Sequence, residues 1–104
     1  MIAWPEPGVY EIFSGTTMSS LELVHRVFER IDRYNPRLNA FVYQLREEAL
    51  ARARKADEGQ AQGRSLGALH GVPVHVKECF AVAGRPCTWG IEAQRNSKAT
   101  TSRL

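Results

Sequence analysis

A chain of 104 residues, 43% of them hydrophobic, has apolar material for one small domain or a piece of one, and a domain of that size buries only about 60–65% of its unfolded surface. Fourteen basic against eleven acidic residues leave a net charge of +3 with neutral histidines. The basic residues are scattered from Arg26 to Arg64 without interleaved aromatics, which is a solvated helix face and argues against a nucleic-acid or membrane surface.

Two cysteines, Cys79 and Cys87, do not make a disulfide framework and read as small apolar residues. The histidines His25, His70 and His75 have no acidic or cysteine partners at ligand spacing, so neither a metal nor a cofactor is expected. Met1 leads into a stretch with no basic start and no long apolar run, and nothing later approaches the roughly 20 apolar residues of a membrane span. The expected location is the cytoplasm.

In chain order, residues 1–15 are rich in Pro and Gly and are expected to be an irregular arm. A helix follows. Ser19 with Glu22 forms a capping box, Met18 and Leu23 are placed for a hydrophobic staple, and Leu21, Val24, Val27, Phe28, Ile31 and Tyr34 make an apolar stripe. Asn35-Pro36 is expected to stop it. Phe41, Val42 and Tyr43 then suggest a short strand.

Residues 45–59 are strong helix formers, with Glu48 and Arg52 one turn apart and Gly59 as the expected stop. A glycine-rich loop leads to Gly71. Beyond it Val72, Val74 and Val76 alternate with Pro73, His75 and Lys77, which predicts a strand with its valines turned to a core. The whole order predicts an α/β fold. On such a strand His75 and Lys77 share a face, roughly 6.5–7 Å apart along the chain. Lys77 has an ordinary reading, a strand-end lysine whose stem covers apolar surface. His75 reads first as a hydrogen-bonded packing residue and second as a catalytic one.

The segment from Leu66 to Ile91 resembles the opening motif of the amidase signature family, through Leu69, Gly71, Val72, Pro73, Val76, Lys77, Glu78, Gly84, Thr88 and Gly90. Ser20-Leu21-Glu22-Leu23 and Asn35-Pro36-Arg37-Leu38-Asn39-Ala40-Phe41 are also similar to that family's usual entry. The resemblance covers roughly residues 16–104, which are expected to be the N-terminal part of an amidase signature domain. It implies a mixed β-sheet flanked by helices, incomplete as a domain.

The resemblance further implies a hydrolase of carboxamide C–N bonds with a Ser-Ser-Lys triad, in which Lys77 is the general base. A serine hydroxyl is a poor nucleophile until a neutral base takes its proton, and a lysine drawn out of water can be that base. No Gly-Ser-Ser or Gly-Gly-Ser follows Lys77, so the family's bridging and nucleophilic serines have no counterpart here. The chain alone is therefore expected to be inactive, and marginally stable or self-associating. Completed by a C-terminal region, it would take a small-molecule amide. Two alternatives stand beside this reading: the start of the amidase-like subunit of a tRNA-dependent amidotransferase, and a truncated, non-catalytic interaction module.

Overall fold

The computed structural model describes residues 18–64 and 67–103, so the expected arm over residues 1–15 lies outside the described residues. Among the described residues the elements are two α-helices, α1 (Ser20–Leu38) and α2 (Arg46–Ala61), and one 3-10 turn, Glu92–Gln94. They form two compact units. Of the described residues, one unit contains those up to Tyr34 together with those from Leu45 to Pro73, and the other contains Asn35–Gln44 together with those from Val74 on.

The start of α1 follows from its sequence. The Ser19 amide donates to Glu22 Oε2 (2.9 Å), and the Glu22 amide donates to Ser19 Oγ (3.1 Å), the reciprocal bonds of a capping box. The Ser19 amide foremost, then the Ser19 hydroxyl, which donates to the same Oε2 (3.2 Å), hold the Glu22 carboxyl below the usual range.

The next two amides are satisfied from elsewhere. Asp57 on α2 accepts the Ser20 amide (2.7 Å) and the Leu21 amide (3.0 Å), placing a carboxylate on the positive end of the α1 dipole. Among the described residues of this unit, Leu23, Val24, Phe28 and Ile31 on α1 and Ala53 on α2 are the buried apolar ones. At the other end Arg46 pairs with Asp32, and its guanidinium lies 4.4 Å from the Phe28 ring centroid. The expected Glu48–Arg52 pair forms at 2.7 Å.

Both helices run past their expected stops. Pro36 sits inside the last turn of α1, and the helix ends where Asn39 adopts φ +48° and its amide donates to the Asn35 carbonyl (2.7 Å). Proline lacks a donor, but its own carbonyl and backbone angle remain compatible with a final turn. In α2 the stop is Gly63 rather than Gly59. Gly63 has φ +69°, its amide donates to Gln60 O (3.0 Å), and the Arg64 amide donates to Gly59 O (2.8 Å). That pair of bonds around a left-handed glycine is a Schellman motif.

The expected α/β architecture is overturned. Among the described residues there is no β-strand, only an isolated antiparallel bridge between Pro86 and Lys98. Residues 39–45 bend instead of forming a strand, and Val42 and Tyr43 are exposed. Residues 72–77 carry no strand assignment, and the valines meant for a core are open: Val74 is 76% and Val76 41% exposed. Alternation makes a segment fit for a sheet, but a strand exists only through hydrogen bonds to a neighbour, and none runs alongside this segment among the described residues.

The second unit is held by turns and by amide bonds between segments 10 to 22 residues apart. Gly84 N donates to Ala99 O (2.8 Å), Ala99 N to Arg85 O (3.0 Å), Cys87 N to Ser97 O (3.1 Å) and Arg103 N to Ala81 O (2.8 Å). Pro86 occupies the position of the bridge that needs no donor, which is where a proline is tolerated.

Candidate active site

The segment that leads to Lys77 is anchored at Gly71. Its φ is +77°, and a Cβ there would fall well inside contact distance of Ser20 Oγ, 3.2 Å from Ser20 Cβ and 3.6 Å from Ala56 Cβ. Ser20 is buried, so the space is already taken. Beside it His70 Nε2 lies 2.8 Å from the Ala56 carbonyl oxygen; a carbonyl can only accept, so this nitrogen carries the proton. The His70-Gly71 pair thereby seats the loop on both helices of the first unit.

In the second unit the Asn35 side chain grips the backbone of Phe41 at both ends: Phe41 N donates to Oδ1 (2.8 Å), and Nδ2 donates to Phe41 O (3.0 Å). This amide clamp accounts physically for an Asn-Pro-x-Leu-Asn-Ala-Phe stretch. It holds Phe41 where the ring meets the His75 imidazole edge-on, with centroids 5.8 Å apart and planes at 71°. His75 is exposed and touches Phe41 through this ring contact.

Lys77 is exposed, and its carbonyl accepts the Phe80 amide (2.9 Å). Its ammonium makes no hydrogen bond or ion pair among the described residues.

The residue after it has a defined role that the sequence did not signal. The Glu78 carboxylate accepts the amides of Thr88 and of Trp89, the latter at 2.9 Å. The Thr88 amide foremost, then the Thr88 side chain and the Trp89 amide, keep the Glu78 carboxyl below the usual range. These bonds fix a turn closed by Ile91 N donating to Thr88 O (2.9 Å), whose central residues Trp89 and Gly90 have φ +57° and +69°. A left-handed tryptophan is a strained arrangement that requires such support. The indole it presents is 65% exposed.

Cys79 and Cys87 flank this clamp as free, half-buried thiols, with Cys87 Sγ donating to the Cys79 carbonyl at 3.8 Å. Among the described residues no group of three or more His, Cys, Asp or Glu is placed to hold a metal ion, and no helix is long and apolar enough to cross a membrane.

The motif residues thus build a glycine seated on a capped helix pair and, further along the chain, a lysine followed by a glutamate-pinned turn. The chain belongs to the amidase family, which matches it over residues 22–103. It is 43% identical over 79 residues to an indoleacetamide hydrolase of Bradyrhizobium diazoefficiens, covering 76% of this chain and 15% of that protein. It is 34% identical over 87 residues to an acylamidase of Rhodococcus erythropolis (84% and 18%). With one of the glutamyl-tRNA(Gln) amidotransferase subunits of Chloroflexus aurantiacus it shares 40% identity over 73 residues (70% and 15%). The chain therefore spans less than a fifth of the length of these relatives.

Proposed function

We propose that Lys77 is the general base, and later the acid, of a site that cleaves a small carboxamide to a carboxylate and ammonia or an amine through an acyl-serine intermediate. The observation that carries the reading is the match of Leu69 to Gly90 to the family's lysine motif, within a chain that belongs to that family. In this reading the serines and the oxyanion donors come from sequence beyond these 104 residues, in keeping with the short span of the relatives that the chain covers.

The chemistry requires a neutral amine. In this reading further structure covers Lys77 and draws it from water, as a lysine base requires. Glu78 accepts the Thr88 and Trp89 amides, so its carboxylate is held on that turn.

The test is amide hydrolysis followed by ammonia release, in a protein that carries this segment and shows the activity. Lys77→Ala and Lys77→Arg should both lower kcat by at least about 10²-fold, the lower end of what general-base catalysis supplies, with little change in KM. Guanidinium is not deprotonated at working pH, so a Lys77→Arg protein that keeps wild-type kcat overturns the proposal.

A second reading is favoured by the amidotransferase relative: the same base serving one subunit of a larger enzyme, whose released ammonia passes to a partner protein. Copurification with further subunits separates the two.

A further inference from the structure

We infer that Cys79 and Cys87 are an oxidisable pair that closes into an intrachain disulfide across the Glu78 clamp. The inference is independent of amide chemistry and of the role proposed for Lys77.

Three observations carry it. Cys87 Sγ already lies 3.8 Å from the Cys79 carbonyl oxygen; standard backbone dimensions then put that sulfur within about 6 Å of the Cys79 Cα. Both thiols are free and half-buried, within reach of a small oxidant. The two segments are also held side by side independently of the sulfurs, because Glu78 bonds the Thr88 and Trp89 amides, each cysteine being the immediate neighbour of a residue in that clamp. The intervening residues fold back through a turn closed by Arg85 N donating to Val82 O (2.9 Å). Closure then requires the Cys79 sulfur to turn toward that of Cys87.

The oxidant is a low-molecular-weight disulfide. The Cys87 thiolate attacks one of its sulfurs, the reagent's S–S bond breaks, and one small thiol leaves. The Cys79 thiolate then attacks the Cys87 sulfur of this mixed disulfide and expels the second small thiol. Two thiols become one disulfide, and their two electrons and two protons end on the two released thiols. In the oxidised chain the bond holds the segment after Lys77 against the Thr88-Trp89-Gly90 turn.

The experiment uses the 104-residue chain and oxidised glutathione, with and without urea, followed by acid quench, alkylation and tryptic mapping. Trypsin does not cut Arg85-Pro86, so both cysteines fall in one peptide, Glu78–Arg95. The expected product is that peptide, unalkylated and about 2 Da lighter, in at least about tenfold greater ratio to the glutathione adduct in buffer than in urea. Amide exchange at Thr88 and Trp89 should slow in the same sample, and a Cys79→Ser chain should stop at one glutathione on Cys87. Glutathione on both cysteines, peptides linked between chains, unreacted thiols, or a ratio equal in urea and buffer would each overturn the inference.

Discussion

Gly71→Ala tests the way the first unit seats the motif. A residue with a Cβ at φ +77° carries the left-handed penalty of roughly 1–2 kcal/mol. The new methyl also collides with Ser20 Oγ and presses on Ser20 Cβ at 3.2 Å, in a place where Ser20 is buried and cannot swing out freely. Overpacking of this kind adds roughly 1–3 kcal/mol, and the stiffer unfolded chain returns roughly 0.4–1 kcal/mol. The net loss is about 2–4 kcal/mol, a large part even of the about 5–15 kcal/mol that holds a complete native protein together.

Urea unfolding followed by helical circular dichroism should show it. With a slope of about 1–2 kcal/mol/M the midpoint falls by at least about 1 M. Ser20→Gly removes both Ser20 atoms, so in that background Gly71→Ala should cost only the backbone part, about 1 kcal/mol. A loss under about 0.5 kcal/mol, or the same loss in both backgrounds, would refute the packing argument.

Asp57→Ala strips the acceptor from the Ser20 and Leu21 amides and should destabilise α1 by about 1–2 kcal/mol in the same urea assay, whereas Asp57→Asn, which keeps one acceptor, should lose less. Glu22 and Glu78 both have folded pKa values below their ordinary 4.5, so each contributes stability that is complete above about 4.5 and is lost as pH falls through the folded value. For Glu78 the amide proton resonances of Thr88 and Trp89 should titrate together with a midpoint under 4.5, and a midpoint at or above it contradicts the clamp. His75→Ala should remove one edge-to-face ring contact, about 0.5–1.5 kcal/mol, and in an active amidase should leave kcat near wild type; a large fall in kcat at unchanged stability would make His75 catalytic instead. In the second unit Val74, Phe80, Trp89 and Ile91 are all at least half exposed, so light scattering of the 104-residue chain should show mass rising with concentration, and a constant monomer mass would count against self-association.

The local signals that the sequence carried unaided were those closed within a few residues. The Ser19–Glu22 box, the α1 stripe through Val24, Phe28 and Ile31, and the Glu48–Arg52 pair all involve partners three or four positions apart, so spacing alone determines them. The string from Leu69 to Gly90 likewise marked the family, which the match over residues 22–103 bears out.

What the tertiary structure decided depends on partners far along the chain. Asp57 gives no sign in the sequence that it caps a helix 36 and 37 residues earlier. The glycine at 71 is legible as a turn residue, but its collision with Ser20 is not. Glu78 is only a motif residue in the sequence, and the amides of Thr88 and Trp89 that it accepts lie 10 and 11 positions on; the two cysteines, read there as small apolar residues, flank that clamp. The strand reading of Val72 to Lys77 failed for the same reason. Alternation is a property of one segment, whereas a sheet belongs to two, and the second is not among the described residues.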